Sequence, residues 1–286
     1  MNSLKISKLV SVLMVMLFIC TNFICINTNA ISASTNRQYR QFDAQTGNIY
    51  RNSYTISARP TRVYSTYSNV ADDNLIRNTT EKATVLLKFK DSGGFHNLGT
   101  AFIVDEHTLM TCAHCLYSGT QKKAMSAIYA FVYYDNDTKC SVYPAIYSHV
   151  PMQYINGNSN YDYGILTFSD SFKGFGAYEL GVMTDVSNVK IPVSVTGFPD
   201  DSNYSKLGLR YTSPCTVTST DNYIINFSGK IYGGQSGSPL YTTTTYKNTK
   251  YNIVTGITKT TVSATRITPD ILAFAYQNSY LNLTWE

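Results

Sequence analysis

Charge is sparse in this chain: 286 residues carry 23 Lys and Arg against 18 Asp and Glu, a net +5. Even that small excess is confined to the N-terminal end. Lys5 and Lys8 hold two charges and residues 31–66, with five Arg and Asp43, hold four more, which leaves residues 67–286 at −1. A near-neutral body offers no electrostatic footprint for polyanions, so nucleic acid is not an expected partner. Long apolar runs are equally scarce. The one present, residues 9–26, follows the two lysines and precedes Thr28-Asn29-Ala30 and Ile31-Ser32-Ala33, both small-residue cleavage signatures. Residues 1–30 therefore read as an export signal and the chain as secreted. With no later run long enough to span a bilayer, no stable membrane anchor is expected.

Cysteine and histidine are few. Cys20 and Cys25 fall in the signal, leaving Cys112, Cys115, Cys140 and Cys215, too few for a dense disulfide framework. The Cys112-Ala113-His114-Cys115 spacing also suits a redox or half-zinc motif, but neither a thioredoxin-like βαβ context nor a second ligand pair is visible, so packing or an ordinary bridge is favoured. Of the four histidines, His96 follows a Gly-Gly loop, His107 ends an Asp105-Glu106-His107 turn and His149 stands near a proline. These three read as solvated loop residues.

Residues 31–66 are rich in Ser, Thr, Asn, Gln and Arg, with little apolar periodicity, and read as a pro-segment. Beyond them, short runs of Val, Ile, Thr, Tyr and Phe alternate with Gly, Asn, Asp and Ser clusters. Strands are expected at 83–89, 100–104, 128–134, 164–168, 192–196, 211–218, 223–227 and 251–257. That density predicts an all-β, closed or sandwiched antiparallel architecture, because sheet edges must be paired or covered. Residues 169–181 read as the junction between two β halves, about 80–172 and about 185–265. One helix is expected at 269–282, capped by Thr268, with Pro269 in its first turn and Ile271, Phe274 and Ala275 on one face.

Against this background one stretch stands out, Gly233-Gly234-Gln235-Ser236-Gly237-Ser238-Pro239. Glycines around a serine let the backbone expose a hydroxyl beside converging N–H groups. Upstream lie His114 and Asp162, 48 residues apart, with Ser236 another 74 residues on. This is the His, Asp, Ser order of chymotrypsin-like triads. An alcohol is a poor nucleophile near neutral pH and needs a base, a role that fits His114; Asp162 would orient the ring and stabilise its charged form. The N–H groups of Gly234 and Ser236 would receive the developing oxyanion. Each residue taken singly suits a turn or a packed core, and it is the combination that points to catalysis. An esterase elbow requires Gly-x-Ser-x-Gly, which Gly234-Gln235-Ser236-Gly237-Ser238 does not provide.

Several segments within 71–270 together carry a resemblance. They are Thr100-Ala101-Phe102-Ile103-Val104, Thr111-Cys112-Ala113-His114-Cys115-Leu116-Tyr117, Gly157-Asn158-Ser159-Asn160-Tyr161-Asp162-Tyr163-Gly164, Val195-Thr196-Gly197-Phe198-Pro199-Asp200, Tyr232 through Pro239, and Thr265-Arg266-Ile267-Thr268. The chain resembles the glutamyl endopeptidases, bacterial secreted serine proteases of the chymotrypsin fold. The resemblance implies two perpendicular six-stranded antiparallel β-barrels with a C-terminal helix, the triad lying in the cleft. His114 and Asp162 would come from the first barrel and Ser236 from the second. It also implies protein or peptide substrates, a protease domain at 67–286 and an activating protease. Because Asp72-Asp73 resembles an early mature chain, the cut is expected between about 62 and 70.

The chain departs from that family in its specificity pocket. Ile231 stands where members usually carry Thr, five residues before the serine, and Gly256-Ile257-Thr258-Lys259, on the strand where members carry a His, contains none. Lys230 or Lys259 would substitute by pairing with an acidic side chain, and otherwise Ile231 and Thr258 leave a small apolar pocket. Gln235 replaces the Asp that pairs with a freed N-terminus in digestive relatives, and Leu98-Gly99 fill the region where relatives often supply a partner for Cys115. No cofactor is expected; Asp135-Asn136-Asp137 and Asp200-Asp201 lack the form of a calcium loop and read as solvated turns. A monomer is expected. The competing reading is a surface-bound or secreted binding module that keeps the protease fold without turnover.

Overall fold

The computed structural model describes residues 37–43, 46, 49–56, 82–134, 139–183, 190–200, 209–246 and 249–279. The expected export signal, the expected cut between 62 and 70, Asp72-Asp73, residues 135–137 and Asp201 lie outside them.

Two β-sheets dominate. The first half of the chain supplies β1 (Arg37–Asp43), β2 (Ile49–Ile56), β3 (Thr84–Lys90), β4 (His96–Asp105), β5 (Thr108–Thr111), β6 (Tyr117–Ser118), β7 (Lys123–Ala124), β8 (Ser126–Tyr134), β9 (Lys139–Pro144), β10 (Tyr147–Pro151) and β11 (Gly164–Thr167). The second half supplies β12 (Glu179–Leu180), β13 (Ile191–Gly197), β14 (Tyr211–Thr220), β15 (Ile224–Ser228), β16 (Pro239–Tyr246), β17 (Thr249–Thr258) and β18 (Ser263–Arg266). Two short α-helices, α1 (Met152–Ile155) and α2 (Pro269–Asn278), and two 3-10 turns, Ala113–Cys115 and Ser159–Tyr161, complete the described elements. None is long and apolar enough to cross a membrane.

Period-2 alternation explains the strands. In β8, Ile128, Ala130 and Val132 are fully buried while Tyr129 between them is 38% exposed. β15 repeats the pattern with Ile225 and Phe227 turned inward. All eight stretches read as strands from the sequence fall on observed strands. The weaker segments β9, β10, β16 and β18 are too short or too Thr-rich to stand out alone.

The first barrel closes through a corner. Its ladder runs β10-β11-β5-β4-β3-β8-β9, and β9 and β10 are two halves of one bent path. Ala145 N–H donates to Ile128 O of β8 at 3.0 Å, and the next residue, Ile146, donates to Thr167 O of β11 at 2.8 Å. The chain thus changes partner in one step. Beyond that corner the outer edge of β10 receives β1, in the register Tyr39↔Pro151 to Asp43↔Tyr147, and β2 pairs with β1. Part of the stretch read as a pro-segment is therefore a hairpin added to the barrel edge.

The second barrel is six-stranded and closed, β17-β16-β13-β14-β15-β18, with β18 pairing back to β17. The chain crosses between the sheets after Thr167 and before Glu179. α2 begins where expected, Thr268 Oγ1 accepting from Ile271 N at 3.3 Å, and ends at Asn278. Ile271, Phe274 and Ala275 are buried, and the Phe274 ring meets Tyr163 edge-on at 5.2 Å. The helix thereby braces the residue after Asp162.

Candidate active site

His114 rides on a single 3-10 turn, Ala113–Cys115, that follows β5, so the fully buried β5 places it at the barrel rim. Asp162 ends a second such turn, Ser159–Tyr161, whose start is fixed by the Asn158 side chain accepting from Asn160 N at 3.1 Å. The two residues meet twice. Asp162 Oδ1 accepts from His114 N at 2.9 Å and Oδ2 bonds His114 Nδ1 at 2.8 Å. The Asp162 side chain is 8% exposed and that of His114 35% exposed, so the carboxylate is sheltered while the ring reaches solvent. The second barrel contributes to the grip: Thr265 Oγ1 donates to Asp162 O at 3.1 Å, and Lys259 Nζ donates to Ser159 O at 3.1 Å.

Burial acts to lower the His114 pKa, but neighbouring groups, the Asp162 carboxylate hydrogen-bonded to Nδ1 among them, outweigh it and hold the imidazole well above its ordinary value. Cys112 itself is pushed up to about 12, first by burial and then by the Asp162 charge, so it is a neutral thiol at neutral pH. Cys112, His114 and Asp162 offer ligand atoms within 4.8 Å of one another. Their bonding suits a dyad better than a metal centre. Both Asp162 oxygens already serve His114, and Cys112 Sγ donates to Thr258 O at 3.1 Å.

The Ser236 loop is fixed peptide by peptide. Asp200 N donates to Gly233 O (2.7 Å), Thr100 Oγ1 to Gly234 O (2.9 Å), Ser238 N to Gln235 O (3.1 Å) and Thr100 N to Ser236 O (2.8 Å). Gly237 N donates to Thr258 O at 2.8 Å. Among the described residues, the N–H groups of Gly234 and Ser236 have no acceptor. Gly234 has φ +79° and Gly237 φ +88°, and a Cβ on Gly237 would sit 2.0 Å from Thr100 O. Only glycine allows this approach. Ser236 is half-buried, and its Oγ makes no hydrogen bond with His114. Cys115 Sγ, one residue from His114, lies 3.9 Å from Ser236 O, which places the serine loop against the histidine turn.

The pocket candidates are spread over different environments. Lys230 is exposed, Ile231 is 6% exposed within the second-barrel core, and Thr258 is 1% exposed, bound to the serine loop through its carbonyl. Lys259 spends its ammonium on Ser159 O rather than on a pocket floor. His149 corrects the reading of three solvated histidines: it is 6% exposed in β10, and burial lowers it to about 4. His96 is exposed at the start of β4, and half-buried His107 bonds Asp170 O at 3.1 Å. Cys112, Cys115, Cys140 and Cys215 are free thiols, with Cys140 exposed. Sequence reasoning missed Thr100, Thr265 and the thiol of Cys112 as parts of the site. The only signal the sequence offered for Thr100 was its place at the head of the apolar run Ala101–Val104.

The model of the trypsin-like peptidase domain matches residues 99–246, just over half of the chain. Among curated relatives, an extracellular metalloprotease of Bacillus subtilis is 30% identical over 168 residues, covering 56% of this chain and 51% of the relative. A glutamyl endopeptidase of Bacillus licheniformis is 26% identical over 145 residues, covering 50% and 44%. The chain thus spans about half the length of these relatives. A solved Glu endopeptidase structure superposes with a TM-score of 0.55 at 16% identity, covering 73% of this chain and 95% of the other. At that identity the likeness is one of fold.

Proposed function

Since this chain belongs to the trypsin-like peptidase domain family and is a glutamyl endopeptidase-like protease of the chymotrypsin fold, we propose that it is a secreted serine endopeptidase working through an acyl-enzyme on Ser236. One observation carries the reading: a His114–Asp162 dyad bonded at 2.8 Å stands beside a loop whose carbonyls are pinned while, among the described residues, the Gly234 and Ser236 N–H groups are left without acceptors.

In this mechanism His114 takes the Ser236 proton as Oγ attacks the substrate carbonyl, and Asp162 steadies the imidazolium. The carbonyl oxygen gains charge and moves between Gly234 N–H and Ser236 N–H; one such donor is worth about 10²–10³ in rate. His114 then returns the proton to the leaving amine, and water repeats the sequence on the acyl-enzyme. The serine–histidine hydrogen bond closes as substrate is seated, as catalytic contacts commonly do. Export is supported by the leader at 1–30 and by the extracellular placement in the name of the Bacillus subtilis relative. A preference for acidic residues before the scissile bond is supported by the glutamyl endopeptidase relative. With Ile231 and Thr258 at the pocket positions and the Lys259 ammonium on Ser159 O, Lys230 is the pocket candidate among the described residues whose cation could supply it.

A fluorophosphonate probe tests the mechanism. The expected result is a single label on the protein that Ser236→Ala abolishes; a chain that stays unlabelled in its processed form is instead a binding module. Profiling with a peptide library tests specificity, and cleavage after apolar or basic residues would remove the acidic preference.

A further inference from the structure

We propose that Thr100, a residue of the first barrel, is the positioning residue that holds the oxyanion-binding loop of the second barrel in its active shape; this rests on the protease reading above. Thr100 is fully buried and uses both its backbone and its side chain on that loop. Its N–H donates to Ser236 O at 2.8 Å, and its hydroxyl donates to Gly234 O at 2.9 Å while accepting from Phe198 N at 3.1 Å. Its own carbonyl accepts from Thr111 Oγ1 at 2.6 Å, which ties it to the strand leading into the His114 turn. One threonine thus links the base's strand to both ends of the Gly234–Ser236 segment.

Peptide planarity turns those bonds into a constraint on the hole. A carbonyl held in place also holds the N–H of the next residue, so Thr100 fixes the 234–235 and 236–237 planes. The 233–234 and 235–236 planes, which carry the two free N–H groups, lie between and beside them and are fixed by Asp200 N and Ser238 N. Gly234, at φ +79°, lacks the Cβ that would otherwise resist rotation of its peptides. Without the hydroxyl, the 234–235 plane keeps only the long 3.3 Å bond from Gln235 N to Tyr232 O. The adjoining 233–234 plane, which carries Gly234 N–H, is then steadied by the Asp200 bond alone and aims that N–H less firmly at the substrate. The fit is close on every side: a Cβ on Gly197 would lie 3.1 Å from Thr100 Oγ1, and one on Gly237 2.0 Å from Thr100 O.

The test compares Thr100→Val, which keeps the shape and loses the donor, with Thr100→Ser, which keeps the donor, and Thr100→Cys, a weaker donor, all in the full chain after processing. Kinetics on a cleavable peptide are set beside affinity for a peptide boronate that mimics the tetrahedral state. Thr100→Val is expected to lower kcat about 10- to 100-fold with KM nearly unchanged and to weaken the boronate by a similar factor. Thr100→Ser should recover to within about threefold, with Thr100→Cys between them. Unchanged kcat in Thr100→Val, a change in KM alone, or Thr100→Cys equal to Thr100→Ser would overturn the proposal. If Thr100→Val fails to fold, the Ser and Cys pair still decides. Amide exchange at residues 234–237 reads the clamp without turnover, and it should quicken in Thr100→Val or Thr100→Cys. A wild type that takes no fluorophosphonate label would sink the protease reading alone, whereas labelling with unchanged exchange and kinetics would sink the clamp alone.

Discussion

Asp162 acts on His114 in two separable ways, by orienting the ring through Nδ1 and by favouring its protonated form. Asp162→Asn preserves the shape and removes the charge, so kcat is expected to fall about 10⁴-fold, the scale the equivalent change produces in trypsin. The pH profile carries a second signature. With its pKa raised, His114 is idle as an imidazolium until the pH climbs through that value. The acid limb of kcat/KM should therefore have its midpoint above about 6.5, the ordinary imidazole value. In Asp162→Asn the residual activity should show that midpoint shifted downward; a midpoint that stays in place would show that Asp162 does not set it. The three candidates of this site were picked out in the sequence because a nucleophile, a base and an acid are recognisable by type and order, and the structure brings two of them, His114 and Asp162, into hydrogen bond. Thr100 was passed over because one more threonine among many carries no chemical label.

Between elements, the contact of β4 with the His114 turn has a gap where a bond would fit. A Cβ built on Gly99 lies 2.9 Å from Cys115 Sγ, close to the roughly 3 Å that a disulfide sets between one Cβ and the opposite sulfur. Gly99→Cys is expected to oxidise to a 99–115 bridge and to stabilise by up to about 3 kcal/mol, the value for a loop of about 15 residues. Mass spectrometry of the alkylated protein would detect it, and two free thiols at these positions would refute it. The C-terminal helix offers a smaller effect. Thr268→Ala removes the acceptor for Ile271 N and should cost about 1 kcal/mol, visible as a fall in Tm of about 2–4 °C. Helix α2 and eight strands were legible beforehand because periodicity and caps are local. The corner at Ala145–Ile146 was not, since nothing in the sequence marks where a strand exchanges one neighbour for another.

For the whole molecule, acid stability should be governed in part by a histidine away from the site. His149 is buried in β10, and its pKa is lowered to about 4 by that burial. The unfolded chain protonates it near 6.5, so between those values the unfolded state binds more protons and stability falls as pH falls. The loss begins near pH 6.5 and reaches about 3 kcal/mol by pH 4. Thermal melts of the Ser236→Ala protein, which avoid self-cleavage, should lose more Tm between pH 7 and 4.5 than the same protein carrying His149→Gln. Parallel losses would refute this. Composition and order by themselves determined that the chain is β-rich, that its body is nearly neutral, and that His114, Asp162 and Ser236 are the candidates to act together. Those properties reside in residue types and short-range patterns. Only the tertiary structure decided which edge receives residues 37–56, that His149 is buried, and that Thr100 meets Gly234 across 134 residues of chain. Such contacts form because closed barrels bring distant strands together, and local periodicity holds no record of the partner that closure will supply.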